Sequence, residues 1–598
     1  MSLATGTGTF SEMLSRMEHS VSKELQRDPQ SEAKYPNRQS RESFGHYVEC
    51  EPSPLPEPYL VAASREMMEE VGLDPAEASS ESFIRFFSGD LSDASLRAIA
   101  TPYAVSVFGS PIWAPDPFGR GNAYGDGRAQ SLGEVVCNNG ARWELQLKGG
   151  GTTPFSRGGD GRAVLRSSVR EFLVSEAMHH LGVPTTRALS LIASKTLRVQ
   201  RMWYSEADRG RRDHPPDTMV AERCAITCRA APSFLRVGHL ELHSRRAARP
   251  SSRDGEHQPE PTQAQAREML HTLFESVVWR EYAKEIDPAA SLEDRCIAVL
   301  RTFARRQAEL TAAWLRVGYV QGNMNSDNCL LSGRTMDYGP FGFIEEYEPL
   351  WSPFTSDMER KFGFERQPLA AQVNVMTLAR ALLPLLARGT DGDGKLAIED
   401  DVAEKLQAVV SNEYAAMSTA VLGEVRRAKL GLRVWADESC EQMYEDLQQL
   451  MAQSRVDFTI FWRQLSHLDD DDIAAAAQGD AAGAMSKLES CFYDEHALKR
   501  FRGQWGSWLA KYATVVKNEG RNQEERHAEM RRASPKYVPR EWMLAKAYEA
   551  AEEGDFSVIA ELQQLFRNPY DEQPDLEFKY YICTPSEFRK KAGISYFS

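Results

Sequence analysis

The segment QGNMNSDNCLLSGRTMDYGPFGF, residues 321 to 343, is the most informative part of the chain. Asp327 and Asn328 are adjacent, and Asp337 follows nine residues after Asn328 at the start of an Asp-Tyr-Gly tripeptide. Mg²⁺ prefers oxygen ligands from one or two carboxylates or amides, with water and phosphate completing its octahedron. Asn328 and Asp337 therefore predict a site for Mg²⁺, with Mn²⁺ as the alternative metal, beside a nucleoside triphosphate. Because loops rich in Asx and Gly are also ordinary turns, this segment alone leaves a purely structural loop open.

The same segment lacks the base that its spacing would lead one to expect. In protein kinases that base is the aspartate of a His-Arg-Asp triplet, five residues before the metal-binding asparagine. The corresponding triplet here is Gln321-Gly322-Asn323, and the amide of Asn323 cannot accept a proton as a carboxylate does. Either the chain does not transfer phosphate to a hydroxyl in the usual way, or it uses another base, for which Asp327 is the nearest candidate.

The composition is that of a soluble globular protein with several structural units. Its 598 residues exceed what one core supports, so about two to four units are expected. A formal net charge of −15 argues against nucleic-acid binding. No apolar run approaches the ~18 residues that span a bilayer, so no membrane partner is expected. Nine scattered cysteines and the lack of a hydrophobic signal core predict a cytoplasmic or mitochondrial protein rather than a secreted one.

The order of the segments predicts an α+β protein with two lobes. Alternation over residues 143–148 indicates a half-buried strand that ends at Lys148, and apolar residues at helical spacing predict helices over 164–181 and 296–317. A small mixed sheet followed by a large helical part is the plan of a two-lobed protein-kinase-like fold. The predicted units are a disordered tail (1–45), an N-terminal segment (46–100), a sheet lobe with glycine-rich loops (101–243), a disordered insert (244–266), a helical lobe with the metal loop (267–430) and a helical C-terminal extension (431–598).

A strand lysine, glycine-rich loops and a helix acid together indicate a phosphate site. Glycine lets backbone N–H groups approach a phosphate, and a strand lysine paired with a helix glutamate supplies a fixed cation. Lys148 and Glu171 suit these roles, because Glu171 lies off the apolar stripe of its helix whereas Glu176 lies within it; an exposed surface acid stays the alternative. Further candidates are the stretch 149–162, the turn Gly125-Asp126-Gly127-Arg128, and Arg229 and Arg236 after a later strand.

Five motifs occur in the order found in one known family. They are GDGRA, LKGGGTTPFSRGGDGRAVLRSSVREFL, CRAAPSFLRVGHLE, NSDN and DYGPFGF. Through these motifs the chain is identified as a member of the selenoprotein O family, here without selenocysteine, over about residues 44 to 375 and again at 568–574. The resemblance implies a kinase-like pseudokinase that transfers AMP from ATP to Ser, Thr or Tyr hydroxyls of proteins, releasing pyrophosphate in a reaction that requires Mg²⁺.

The resemblance also implies roles for individual residues. Asp327 would accept the proton, Asn328 and Asp337 would bind the metal, and the nucleotide would lie reversed relative to its orientation in protein kinases. Lys148, oriented by Glu171, would neutralise the triphosphate. The ATP-contacting positions of the family fall on Gly125, Gly127, Arg128, Lys148, Asp160, Gly161, Arg229, Arg236 and, as a metal ligand, Asp337.

The chain departs from the family pattern in three places. YAVSVFG at residues 103–109 stands where the family has Tyr-Ala-Gly-His-Gln-Phe-Gly, and Gln321-Gly322 replaces a His-Gly pair. Many members end in a selenocysteine or cysteine motif, whereas this chain ends in ISYFS. Cys583 lies in a Cys-Thr-Pro-Ser segment upstream of that end, so redox control through a C-terminal cysteine is not expected.

Two other functions stay open on the sequence. One is a kinase that transfers the γ-phosphate to a protein or small molecule. The other is an inactive nucleotide-binding scaffold, favoured by the missing aspartate and the altered segment 103–109 but disfavoured by the retained Asn328 and Asp337. The expected partners are substrate proteins with acceptor hydroxyls. The sequence does not define the oligomeric state, for which a monomer is the expectation, and assigns no chemistry to residues 400–560.

Overall fold

Strands and helices alternate in the first half of the chain, and helices dominate the second half. The computed structural model describes residues 7–92, 96–112, 124–205, 216–248, 261–354, 356–391, 395–435 and 438–589. The fold is mixed α and β, in agreement with the predicted α+β class. Its strands are β1 Met17–Glu18, β2 Val48–Glu49, β3 Pro58–Ala63, β4 Ile99–Ala100, β5 Val105–Val107, β6 Ser110–Ile112, β7 Ala129–Val136, β8 Arg142–Lys148, β9 Ala163–Val164, β10 Arg187–Trp203, β11 Thr218–Ala231, β12 Tyr319–Gln321, β13 Phe341–Phe343, β14 Gly389–Thr390 and β15 Leu396–Ala397.

The helices are short before residue 100 and mostly longer after it. A 3₁₀ turn over Ser326–Asn328 lies within the segment that holds the candidate metal ligands. The α-helices are α1 Phe10–Ser15, α2 Ser20–Glu24, α3 Arg65–Glu70, α4 Glu81–Phe87, α5 Leu165–His180, α6 Val237–Ala247, α7 Gln263–Val277, α8 Leu292–Val317, α9 Gln367–Leu382, α10 Asp400–Ala408, α11 Tyr414–Leu430, α12 Glu438–Ser454, α13 Phe458–Leu465, α14 Asp470–Ala477, α15 Ala482–Leu488, α16 Glu495–Glu519, α17 Gln523–Ala533, α18 Glu541–Glu552, α19 Ser557–Arg567, α20 Pro574–Tyr580 and α21 Ser586–Arg589.

Nine strands of the described residues form one antiparallel sheet. Their order is β2-β4-β7-β8-β11-β10-β3, with β1 beside β7 and β9 beside β11. Every pairing is antiparallel. The prediction of a small mixed sheet is therefore wrong in size and in strand direction. The extra size comes from β1 to β4, whose segments before residue 101 are mostly too short to show a periodic pattern.

The central strand β8 is buried on both faces rather than half-buried. Leu145 and Leu147 pack into an apolar cluster that also contains side chains of α1, α3 and α4. Glu144, Gln146 and Lys148 alternate with them along the strand, so they face the other side of the sheet, and they are buried as well. Burying polar groups costs free energy unless they are paired. This polar row therefore marks the face of the sheet where a functional site is to be sought.

The predicted disordered tail over residues 1–45 is wrong for the part that the structure describes, residues 7–45. Thr9 and Glu12 cap each other's backbone at the start of α1. Phe10 and Met13 bury their side chains in the cluster of α4, where Phe10 makes edge contacts with three phenylalanine rings. The Thr-x-x-Glu capping box of Thr9 and Glu12 indicates the start of a helix, but the polar composition of the segment led to a prediction of disorder.

The two helices predicted beside the candidate site are confirmed. The first is α5, and the second is α8, which ends at Gly318. Gly318 has a φ of 79°, a left-handed conformation that favours glycine at a helix end. The chain then forms β12, the 3₁₀ turn and β13, and β12 pairs with β13. The segment 321–343 is therefore a loop closed at both ends by one pair of strands.

Helices α12 to α17 pack into a second apolar cluster around the buried Trp462 and Trp505, which also includes Val320 of β12 and Ile344. Helix α18 instead packs into the main cluster with α5, and Arg170 of α5 donates two hydrogen bonds of 2.9 Å to Glu541 of α18. Within the described ranges, no helix is long and apolar enough to cross a membrane. None of the nine cysteines, all of which lie within the described ranges, forms a disulfide.

The predicted disordered insert over residues 244–266 is wrong at both of its ends. Helix α6 extends to Ala247, and α7 begins at Gln263 behind a capping box on Thr262. Residues 249–260 lie outside the described residues, and so do residues 206–215 of the other polar insert and the C-terminal ISYFS.

Candidate active site

Lys148, the last residue of β8, forms two ion pairs at one point of the structure. Its Nζ lies 2.8 Å from Oε2 of Glu171 and 2.6 Å from Oδ1 of Asp337. Pairing with β7 and β11 fixes Lys148 in the sheet, while Glu171 comes from the middle of α5 and Asp337 from the loop between β12 and β13. The structure thus brings together three residues that were predicted from three separate motifs.

Glu171 is buried, so it is not the exposed surface acid that the sequence left as the alternative, and Glu176 has other partners. Glu171 reaches Lys148, and both side chains are at most 8% exposed. Glu176 instead accepts two hydrogen bonds of 2.7 Å from Arg187 and one from the hydroxyl of Ser64. The predicted pairing of Lys148 with Glu171 is therefore present, whereas their catalytic roles stay a prediction.

Asp337 is a carboxylate held in its ionised form by cations. Burial alone would raise its pKa, but Lys148, Arg229 and Arg128 together hold the pKa of Asp337 well below its usual range. Its φ of 61° is left-handed, a conformation that aspartate adopts more readily than most residues. Oδ1 is occupied by Lys148, and among the described residues Oδ2 has no hydrogen-bond partner. One oxygen of this carboxylate is therefore available to a ligand.

Two arginines add positive charge beside Lys148. Arg229 is buried, donates to the side-chain oxygen of Gln146, and has its Nη1 3.5 Å from Oε1 of Glu171. Arg128 is half-buried, and its charge lowers the pKa of Asp337. Concentrated positive charge of this kind suits a ligand that carries phosphates.

The 3₁₀ turn Ser326–Asn328 carries the candidate base. Asp327 is half-buried as a residue, but its Oδ1 is shielded and has no hydrogen-bond partner within the described chain. Burial, with a smaller contribution from the charge of Asp337, raises the pKa of Asp327 to about 6 against the lowering effect of Arg236. The contribution of Asp337 indicates that the two aspartates lie close enough for their charges to interact.

The available oxygen donors suit a Mg²⁺ site that phosphate and water complete. The amide of Asn328 is half-buried and makes no hydrogen bond to another described side chain or backbone group, and Oδ2 of Asp337 is also available. One or two protein oxygens are what Mg²⁺ usually takes beside a nucleotide. In the parts of the chain that the structure describes, no three His, Cys, Asp or Glu side chains cluster as a metal site.

The three predicted nucleotide-contacting glycines lie at close backbone contacts. A Cβ on Gly125 would lie 2.4 Å from Cγ of Phe155, and one on Gly127 would lie 2.8 Å from the carbonyl oxygen of Phe155, so these two glycines let the turn 125–127 pack against the stretch 149–162. At Gly161, whose φ is 67°, a Cβ would meet the carbonyl carbon of Gly151 within that same stretch at 2.2 Å. Packing alone therefore requires glycine at all three positions.

Arg236, a predicted nucleotide contact, has partners within the protein. Its Nη2 lies 2.6 Å from Oδ1 of Asp126, and its Nη1 donates to the backbone oxygen of Asp327 at 3.1 Å. Sequence reasoning missed Asp126 as a functional residue, although its position between two glycines was visible. The Arg236 side chain therefore joins the turn 125–127 to the turn that carries the candidate base.

Asp160, a second predicted nucleotide contact, also forms an ion pair within the protein. Arg201 of β10 donates to its two carboxylate oxygens at 2.7 and 2.9 Å, and the Asp160 side chain is 42% exposed. No sequence signal pointed to Arg201. Arg157, at the tip of the same glycine-rich loop, was missed as well; its charge lowers the pKa of Asp327, which indicates that this tip lies beside the turn.

A small internal cavity lies behind the turn 125–127. Its volume is about 20 Å³, which is room for one water molecule and far too little for a nucleotide. Burial raises the pKa of Glu144, one of its lining residues, to about 7, and the charge of Glu134 adds to the effect. Other lining residues include His46, Asp126, His239 and His243. None of the predicted nucleotide-contacting residues lines this cavity.

A sheet lysine paired with a helix glutamate and with the aspartate of an Asp-Tyr-Gly loop is the arrangement that kinase-type proteins use for nucleotide phosphates. The sequence profile of the family described as "Protein adenylyltransferase SelO" matches residues 29–567. The chain belongs to this family, which confirms the membership that the sequence motifs predicted.

Relatives named protein nucleotidyltransferase YdiU match over almost the whole chain. The one from Methylobacillus flagellatus is 36% identical over 578 residues, which cover 96% of this chain and 98% of the relative. The one from an Azoarcus species is 36% identical over 553 residues, covering 92% and 93%. The one from Xanthomonas oryzae pv. oryzae is 37% identical over 548 residues, again covering 92% and 93%. The family and these relatives all bear the names of nucleotidyltransferases.

Proposed function

We propose that this protein transfers AMP from ATP to Ser, Thr or Tyr hydroxyls of other proteins and releases pyrophosphate. Membership in a family of protein adenylyltransferases supports the reaction class. The observation that carries the proposal is the position of Lys148 Nζ, 2.8 Å from Glu171 and 2.6 Å from Asp337. A phosphate-binding cation and a candidate metal ligand meet there, as transfer at phosphorus requires.

The proposed architecture is a two-lobed, protein-kinase-like fold with an N-terminal segment and a helical C-terminal extension. The nine-stranded sheet and α5 would form the smaller lobe, and the helices from α6 to α11 the larger one. In support, Lys148 and Glu171 belong to the sheet side, while the turn 326–328 and Asp337 follow α8. In kinases these elements face each other across the nucleotide cleft.

The chain offers ligands for each part of an ATP–metal complex. Asn328 and Asp337 would hold Mg²⁺, or Mn²⁺ in its place, and the bound metal would neutralise charge on the phosphate oxygens. Lys148 would bind a phosphate oxygen from a position set by Glu171. Arg128 and Arg229 would add charge-assisted hydrogen bonds, and Asp160 and Arg236 would act through the loops that they hold. The glycines predicted to permit close approach of the backbone are Gly125, Gly127 and Gly161.

Asp327 is the proposed proton acceptor. Because burial raises its pKa to about 6, the carboxylate is ionised at neutral pH and is still basic enough to accept a proton. The substrate hydroxyl oxygen forms a bond to the α-phosphorus, the bond from that phosphorus to the bridging oxygen of pyrophosphate breaks, and the hydroxyl proton passes to Asp327.

The test is to incubate the full-length protein with ATP labelled at either the α- or the γ-phosphate, together with Mg²⁺ and candidate acceptor proteins. We expect label in protein from the α-position only, and a mass increase of one adenylyl unit. Label from the γ-position alone would replace the proposal with a kinase. The control Asp337→Ala should abolish labelling. If wild type and Asp337→Ala were equally inert while both still bound partner proteins, the chain would be a scaffold instead.

A further inference from the structure

Glu241, in the second turn of α6, is a buried carboxylate that the proposed chemistry does not use. Its Oε1 accepts hydrogen bonds from Oγ of Ser106 at 2.5 Å and from Nη2 of Arg245 at 2.6 Å. Its Oε2 accepts from Oγ of Ser326 at 2.7 Å. Hydrogen bonds to an ionised carboxylate are stronger than neutral ones, so these three donors are held firmly around Glu241.

Ser326, which immediately precedes Asp327, is fixed by both functions of its hydroxyl. The hydroxyl donates to Glu241 and accepts a hydrogen bond of 2.8 Å from the backbone N–H of Ser106. Ser106 and Ser326 are themselves buried, so water does not compete for these bonds. Ser106 lies in the segment 103–109, where the chain departs from the family pattern, and it stands at the position of the family's histidine. The altered segment thus still contacts the turn that carries the candidate base.

The first turn of α6 holds the same loop at two more points. Nη1 of Arg236 binds the backbone oxygen of Asp327 at 3.1 Å, and the backbone N–H of Val237 donates to the oxygen of Cys329 at 2.9 Å. Neither bond involves the carboxylate of Asp327. The start of α6 therefore holds the turn on both sides of Asp327, whose Oδ1 has no hydrogen-bond partner among the described residues.

We propose that Glu241 is a positioning residue of the reaction, because through Ser326 and Ser106 it fixes the turn that carries Asp327 and Asn328. The effect of Glu241 on catalysis rests on the proposed function, whereas its contacts with the turn 326–328 do not. Loss of the Glu241 carboxylate displaces the base relative to the α-phosphorus. It also shifts Asn328 but leaves Lys148 and Asp337 in place, so the KM for ATP changes less than kcat does.

The test is Glu241→Gln in the full-length protein. The variant keeps the shape of the side chain but places an N–H donor against one of the existing donors. We expect kcat for AMP transfer to fall about tenfold to a hundredfold, since small misplacements of catalytic groups have effects of this size, while the KM for ATP rises by a smaller factor. Ser326→Ala should give the same split, because it removes the same bond from the other end.

The matched control is Asp457→Asn. Asp457 is fully buried and binds Arg540 through two hydrogen bonds, but it lies on the C-terminal side of the molecule and does not contact the turn. It reports what loss of a buried ion pair does to stability alone. The positioning role of Glu241 is overturned if Glu241→Gln keeps the wild-type kcat, or loses no more kcat than Asp457→Asn at an equal folded fraction.

Hydrogen exchange of residues 324–331 separates this inference from the proposed function. Without ATP, Glu241→Gln should raise exchange of these amides about fivefold or more, and Asp457→Asn should leave them unchanged. If the wild type transfers no AMP, the proposed function fails, while faster exchange in Glu241→Gln still supports the hold on the turn. Unchanged exchange overturns that hold whatever the activity.

Discussion

The two halves of the candidate site compensate their charges in opposite ways. On the sheet side, Lys148 contacts both Glu171 and Asp337, and Arg229 lies beside Glu171. At the turn, the carboxylate oxygen Oδ1 of Asp327 has no partner among the described residues, and the nearby Arg236 holds the backbone instead. The sheet side therefore pairs its charges, whereas the turn leaves one shielded carboxylate oxygen without a partner among the described residues.

The pKa values of the two aspartates express this difference. Burial acts on both carboxyls in the same direction, towards the neutral form. At Asp337 three cations outweigh it and hold the pKa well below the usual range, whereas at Asp327 burial prevails and the pKa is about 6. Two residues of one type can therefore serve as a permanently ionised metal ligand and as a base, because their neighbours differ.

The largest loss of activity is expected from a change at Asp337, which lies in the half of the site where the charges are paired. Asp337→Asn removes the charge from the proposed metal ligand and from the partner of Lys148, so we expect kcat/KM to fall about 10³-fold. Transfer of label from α-labelled ATP measures it. Glu176→Gln, which alters a buried glutamate of α5 that binds Arg187 instead, is the control and should retain activity. A loss smaller than about tenfold in Asp337→Asn would contradict the role proposed for this residue.

A change at Asp327, in the other half of the site, should reduce the rate of transfer without reducing nucleotide binding. Asp327→Asn is nearly isosteric and removes only the ability to accept a proton, so we expect kcat to fall about 10²-fold. Binding of a fluorescent ATP analogue with Mg²⁺ should stay within about twofold of wild type, whereas Asp337→Asn should weaken it clearly. Equal losses of binding in the two variants would show that the two halves do not have separate tasks.

Sequence patterns were sufficient for the parts of the site that local structure determines. A strand ending in Lys148, a helix carrying Glu171 and a loop carrying Asp337 each have a periodic or motif signature, and the structure brings these three residues into contact. The order of residues in the chain does not by itself show which side chains touch. The contacts were expected here because kinase-type proteins, which these motifs resemble, place such elements around one cleft.

The parts that the sequence did not reveal depend on distant partners or on very short elements. Strands of two residues, such as Met17–Glu18, are too short to show any alternation. The pair of Asp160 with Arg201 and the contacts of Glu241 join residues far apart in the chain, and surface arginines and helix glutamates have no local signature. Only the tertiary structure shows which of these charged side chains pair with other residues of the protein.

A buried carboxyl outside the site, that of Glu144, can test the argument that burial raises the pKa of a carboxyl in this protein. Glu144 accepts hydrogen bonds from Oγ of Ser131 at 2.6 Å and from the N–H of Phe234 at 3.1 Å, and its pKa is raised to about 7 by burial. The folded state therefore holds this proton more tightly than the unfolded state, so the contribution of Glu144 to stability is lost as pH rises from about 4.5 to 7.

Glu144→Gln removes this titration while keeping a donor and an acceptor for the two partners. We expect the variant to gain about 1 to 3 kcal/mol in the free energy of unfolding, relative to wild type, when the pH is raised from 5 to 8. Urea unfolding at both pH values measures the difference. Parallel curves for the two proteins would show that burial alone does not raise a carboxyl pKa in this sheet, and would weaken the same argument for Asp327.

The smallest effect is expected at Asp160, which tests whether a predicted nucleotide contact acts only through the protein. Its ion pair with Arg201 is partly exposed, and exposed pairs contribute about 0 to 1 kcal/mol. Asp160→Asn should therefore raise the KM for ATP less than about threefold, and Arg201→Met should do the same. If the two residues act only on the glycine-rich loop, the double variant is no worse than either single one. A tenfold rise in Asp160→Asn alone, with Arg201→Met near wild type, would instead place the Asp160 carboxylate in direct contact with the nucleotide.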